Sequence, residues 1–163
     1  MNINYQKWLN KTKIFDKKEK STFAYWFAHW KCYNLVAMQL GIWKFKYLFH
    51  DIEKPFLKLF LTYEKVRKFH RTYHKHHLNY RKPHKIDWIA VAIDWECGQY
   101  SKMDSPWNAR GFVYDYIRRN PQWKDRLLNE MLPILDKIGI KTITNRDVDD
   151  PFWIAEKLKL ADF

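Results

Sequence analysis

Apolar side chains recur every three or four residues over most of the chain, the spacing of helices that keep one face in a core. From Phe23 onward, Trp26, Trp30, Tyr33, Ala37 and Leu40 hold that step. Ser21 or Thr22 before them is a suitable N-cap, and Gly41 a suitable stop. A short stretch from Trp43 to Asp51 follows, and Pro55 is expected to break the chain there. A long helix is then expected from about Pro55 to about Asn79, because Phe56, Phe60, Tyr63, Val66, His70, Tyr73 and His77 advance in helical steps. That stripe faces the core and carries two histidines. His74 adjoins it, and His76 turns partly away.

Arg81-Lys82-Pro83-His84-Lys85 reads as a basic loop before a buried helix from Ile86 to Tyr100, with Ile86, Ala90, Asp94 and Cys97 on one side. A carboxylate on so apolar a helix needs a cation or hydrogen-bond donors, which singles out Asp94. Ser105, with Pro106 in the first turn, is the expected cap of the next helix, which ends near Asn120-Pro121. The segment from Pro121 to Lys137 contains Pro133, which should kink or split it, and Gly139 closes it. Residues 140–144 read as extended, and Asp150 caps a terminal helix. Residues 1–20, rich in Lys and Asn, read as a short helix or basic arm. The expected fold is all-α: one compact helical bundle of about six to seven helices over residues 1–163, with its core in 21–138 and peripheral ends at 1–20 and 150–163.

Composition narrows the class. With 163 residues, 47% of them hydrophobic, the chain can bury one core. Aromatic residues at 18% and only four glycines argue against disorder and many-turned β folds. Thirty Lys and Arg against eighteen Asp and Glu leave a formal charge of +12, dispersed along the chain, which favours a phosphate-bearing partner. Cys32 and Cys97 form no CxxC pattern, which argues against a disulfide framework or a cysteine zinc site. No apolar run reaches the roughly 18 residues that span a bilayer, so no membrane partner and a cytoplasmic location are expected.

The chemistry-bearing residues are ordered along these elements. His29 lies on the first buried helix, His50-Asp51 at the end of the next segment, His70, His74, His76 and His77 after it, and Asp94 on a later buried helix. Imidazole and carboxylate donors arriving from several helices are the material of a divalent-metal site.

That order resembles the HD-domain superfamily of metal-dependent phosphohydrolases. His50-Asp51-Ile52-Glu53-Lys54 is similar to its His-Asp-Ile-Gly-Lys variant, and Ile89-Ala90-Val91-Ala92-Ile93-Asp94 to the helix presenting its last aspartate. A closer resemblance, over roughly residues 25–135, is to a group of small phage and bacterial proteins with an HD-like pattern; a phage-encoded chain would work in the host cytoplasm. It is carried by His50 to Lys54, by His70 with His76-His77 and Tyr80, and by Asp94-Trp95. Glu53 departs from the glycine of the related phosphodiesterases, and no Gly-Tyr-Pro motif follows the later histidines.

The resemblance implies that His29, His50, Asp51 and Asp94 hold a first ion and that Asp51 bridges to a second, completed by His70 and either His76 or His77. Mixed nitrogen and oxygen ligands suit Mn²⁺, Fe²⁺, Co²⁺ or Zn²⁺ better than Mg²⁺ alone, with one or two ions. The implied activity is that of a phosphohydrolase or phosphodiesterase acting on a nucleotide, a cyclic or oligonucleotide signal, or nucleic acid. Asp51 and Lys54 are its catalytic candidates, although Lys54 is equally readable as a surface lysine. Arg71, His74, Arg81, Arg110 and Arg118 are candidates for binding substrate phosphates. Tyr73, Tyr80, Trp88 and Trp95 are readable either as base-stacking or as core residues. Two other readings stand beside this one: a non-catalytic nucleotide- or nucleic-acid-binding protein, suggested by basic and aromatic residues interleaved from Lys65 to Lys85, and a purely structural helical protein with hydrogen-bonded histidines.

Overall fold

In the computed structural model, which describes residues 4–163, the chain forms α1 (Tyr5–Leu9), α2 (Phe23–Gln39), α3 (Glu53–Lys58), α4 (Tyr63–Tyr73), α5 (Trp88–Ser101), α6 (Ala109–Arg119), α7 (Lys124–Arg126), α8 (Leu132–Lys137) and α9 (Pro151–Leu158). The described residues form no strand, only isolated bridges from Phe15 to Lys102 and from Trp107 to Asn145. The protein is a single all-α domain.

α5 is the axis of the fold. Its Val91 and Ala92 enter one apolar cluster with Ala109, Val113 and Ile117 of α6 and with Leu127, Met131 and Leu135. Its Ile93 and Cys97 enter a second with Cys32, Tyr33, Val36 and Ala37 of α2 and with Leu9 of α1. A helix that is apolar on nearly every side must be covered on every side. Asp94 is carried into the interior on such a helix, so its charge must be answered there.

Local sequence explains most boundaries. Thr22 caps α2 by accepting from the Tyr25 N–H, and Gly41 follows its end at φ 68°, a conformation that suits glycine. Asp87 caps α5 through the Ala90 N–H, and Asp150 caps α9 through the Phe152 N–H. Leu9 and Phe15, in the segment expected as a basic arm, are buried.

Three expectations are corrected. Pro55 does not break the chain; it sits in the first turn of α3, where its missing N–H would have no helical partner in any case. The long helix expected from Pro55 to Asn79 is two helices: α3 ends at Lys58, Thr62 is extended (φ −65°, ψ 154°), and α4 ends at Tyr73. Phe56 and Phe60, assigned to the inward stripe, are 64% and 84% exposed, whereas Val66 and His70 on α4 are buried. The third concerns α6, which is capped by Asn108 rather than Ser105. The Asn108 Oδ1 accepts from the Gly111 N–H and its Nδ2 donates to the Thr142 carbonyl, so it also anchors the extended segment beyond α8.

Pro133 splits the regular α-helical ladder into α7 and α8, as expected. Residues 127–131 form one wide π turn between α7 and α8, closed by the Leu132 N–H on the Leu127 carbonyl. The re-registered ladder accommodates a proline that lacks a donor and crowds the preceding turn.

Candidate metal centre

The chain reverses at His50-Asp51. A 3₁₀ turn (Phe45–Phe49) ends at His50, and Asp51 adopts φ 61°, left-handed backbone that costs a non-glycine residue about 1 kcal/mol but is least unfavourable for Asp and Asn. Strain of this kind concentrates at functional sites. The Asp51 side chain is buried, and the His50 ring lies stacked on Tyr33 with centroids 3.6 Å apart. His70 stands in the last turn of α4. Beyond it residues 74–80 fold back, the Arg81 N–H reaching the Thr72 carbonyl, and this turn sets His76 and His77 against His70. The end of α4 thus removes the two-turn separation that a continuous helix would impose on His70 and His77.

The donors converge on two carboxylates. Around Asp51 Oδ1 stand His70 Nε2 at 3.0 Å, His50 Nε2 at 3.5 Å and His76 Nε2 at 3.5 Å. On the other side, His29 Nε2 lies 3.0 Å from Asp94 Oδ1 and 3.8 Å from Asp51 Oδ2. His29, His50 and Asp51 form one ligand-competent group, and His70, His76 and His77 another. Despite the short distances, Asp51 Oδ1, His50 Nε2 and His77 Nε2 are buried without a hydrogen-bond partner. Orphaned buried polar atoms are costly, about 1–3 kcal/mol each, and three facing one region fit an ion-binding site.

The hydrogen-bond network also bears on the His29 tautomer. Ser101 Oγ donates to the Cys97 carbonyl, so toward His29 Nδ1, 3.3 Å away, it acts as acceptor. With its proton on Nδ1, His29 would turn a bare Nε2 toward Asp94. Burial, with Lys102 adding to it, holds the His29 pKa below its ordinary value and the ring neutral. An imidazole nitrogen and a carboxylate oxygen 3.0 Å apart in the interior are donors that one cation can share.

The remaining electrostatics agree. Burial depresses His50 far below the usual histidine range, and burial together with His76 does the same to His77. Burial alone would raise Asp51, but His50, Lys54 and His70 more than offset it and hold the carboxyl well below its usual value. Asp94 is likewise held low against burial, by Lys102 and His29. His70 is the exception: burial opposes its charge, yet Asp51 raises its pKa. Neutral imidazoles beside ionised carboxylates are the protonation states that metal ligation requires.

Other candidates fall in different places. Lys54 pairs with Asp51 Oδ2 at 2.5 Å. His74 is half-buried, 3.4 Å from Glu53. Arg71 is exposed beside His70, and Arg81 lies over the Tyr73 ring at 4.7 Å. Arg110 is engaged with the Ile140 carbonyl and Asp136, and Arg118 with Asp115, so neither is brought to the cluster by its partners. Tyr80 and Trp88 are buried and Trp95 packs on Phe112, which leaves Tyr73 as the exposed aromatic of the four named. Sequence reading missed Lys102, whose Nζ lies 3.5 Å from Asp94 Oδ1, and Ser101, which orients His29. Ser101 lies seven residues on from Asp94, on the same face of α5, and Lys102 is the extended residue that ends the helix. Cys97 also lies near His29, but burial pushes its thiol up, away from the thiolate that a metal prefers.

No known family profile, curated protein or solved structure matches the chain.

Proposed function

We propose that the chain is a divalent-metal-dependent phosphohydrolase acting on a nucleotide, an oligonucleotide signal or nucleic acid. The observation that carries this reading is the His29 Nε2 facing Asp94 at 3.0 Å, beside an unpartnered Asp51 Oδ1 ringed by three further imidazole nitrogens. His29, His50, Asp51 and Asp94 would hold one ion, and His70, His76 and His77 with Asp51 a second. A bound divalent ion supplies an acidified water and polarises a phosphoryl oxygen.

The chain's own residues supply the rest. Lys54 and Lys102, each beside a ligating carboxylate, set positive charge where a phosphoryl group accumulates negative charge in the transition state. Tyr33 and Ser101 hold the His50 and His29 rings in orientation. Arg71 and Arg81 are exposed near His70 and can take a substrate's remaining phosphates, and the +12 charge raises the encounter rate with polyanions. The test is a screen of nucleotides, cyclic and linear dinucleotides and oligonucleotides with Mn²⁺, Co²⁺, Zn²⁺ or Mg²⁺ added to stripped protein. Metal-stimulated phosphate-ester cleavage that disappears in Asp51→Asn is the expected result. A metal-loaded protein that binds oligonucleotide with steep salt dependence and cleaves nothing would instead support a non-catalytic binder.

A further inference from the structure

Glu53 stands where the resemblance would place a glycine, and its carboxylate is aimed at His70. Its Oε1 contacts His70 Nδ1, with His74 Nε2 3.4 Å away on the outer side. Lys54, the neighbouring cation, turns the other way, to Asp51 Oδ2. We propose that Glu53 is a positioning residue: by accepting the Nδ1 proton of His70 it fixes the tautomer whose Nε2 is bare and directs that nitrogen at Asp51 Oδ1. The inference rests on the metal-site reading above.

The surroundings of the ring fit that arrangement. His70 Nε2 lies 3.0 Å from His76 Nε2 and 3.0 Å from Asp51 Oδ1, so a neutral His70 that donates its Nδ1 proton to Glu53 turns its lone pair toward both. In the opposite tautomer His70 Nε2–H would donate to Asp51, and two atoms would be lost as ligands. Glu53 therefore does for His70 what Ser101 does for His29. Both rings are held from outside by an acceptor on Nδ1, the arrangement that orients and strengthens ligating histidines.

The expected effect is a loss of about 10–100-fold in metal affinity for Glu53→Ala. Glu53→Gln, whose amide oxygen still accepts from Nδ1, should restore most of it. The direct readout needs no metal: long-range ¹H–¹⁵N correlation of the histidine rings in stripped protein at about pH 9, above the histidine range, should show His70 protonated on Nδ1 in the wild type and Glu53→Gln, and redistributed toward Nε2 in Glu53→Ala. Circular dichroism of each variant separates this from unfolding, and Glu53→Gln keeps the test decisive if Glu53→Ala does not fold. Unchanged His70 tautomer and Co²⁺ affinity in Glu53→Ala would overturn the proposal. So would the loss of one bound ion in both variants, since Glu53 would then be a ligand itself. Wild-type protein that takes up no ion would overturn the metal-site reading instead, and the ring spectra would still report whether Glu53 sets the tautomer.

Discussion

Asp51 concentrates the demands of this site in one residue: left-handed backbone, full burial, a lysine on one carboxylate oxygen and three imidazoles around the other. Asp51→Asn keeps the shape and tolerates the positive φ, so it should fold, yet bind metal too weakly to survive gel filtration; elemental analysis reads this directly. Asp51→Ala adds a backbone penalty of about 1 kcal/mol and confounds the two effects. Lys102 tests the site from the opposite side. In metal-free protein Lys102→Met leaves the Asp94 carboxylate short of a cation and should lower unfolding stability by about 2 kcal/mol. Saturating Zn²⁺ should recover much of that loss, as urea melts with and without metal would reveal; an equal loss in both would mean that no ion takes over the charge of Asp94.

Element by element, helices with a cap and a one-sided stripe were legible in the sequence: α2 from Thr22 to Gly41, α5 with its buried Asp94, and α9 behind Asp150. What misled was continuity of period. Phe56 and Phe60 continue the step of Val66 and His70, but Thr62 leaves helical backbone between them, and periodicity does not register one extended residue. The end of α4 at Tyr73 hid the choice between His76 and His77, because both lie in the turn after that helix rather than on its face. The buried His/Asp cluster was legible because His29, His50, Asp51 and Asp94 each fall on, or at the end of, an element expected to be buried. The groups that orient it were not, since Ser101 and Glu53 act through contacts between elements 72 and 17 residues apart. The Asn108 cap serves two elements at once, and Asn108→Ala should cost about 2 kcal/mol in urea unfolding while metal content stays unchanged.

For the molecule as a whole, the buried titrating groups set the acid limit. His29, His50 and His77 have folded pKa values below the unfolded 6.5, and Asp51 and Asp94 below the unfolded 3.8. In each case the unfolded chain binds protons first as pH falls, so their stabilisation is complete above the unfolded pKa and is lost toward the folded one. His70, raised in the fold, contributes the other way: its stabilisation is present below 6.5 and is lost as pH rises through its folded pKa. Between about pH 6.5 and pH 4 the three depressed histidines outweigh Glu96, which burial raises to about 6, so metal-free protein should weaken in urea melts across that window, with the losses of Asp51 and Asp94 following below about pH 4. Metal competes with the same protons, so affinity should rise with pH across that window. No helix among the described residues is long and apolar enough to cross a membrane. The most direct test of the account is calorimetric titration of chelator-stripped protein with Zn²⁺ and Mn²⁺, run beside Asp51→Asn. Saturable binding of one or two ions by the wild type, absent from the variant, is the predicted result. A folded wild-type protein that binds neither ion, or a variant that binds as tightly, would contradict it.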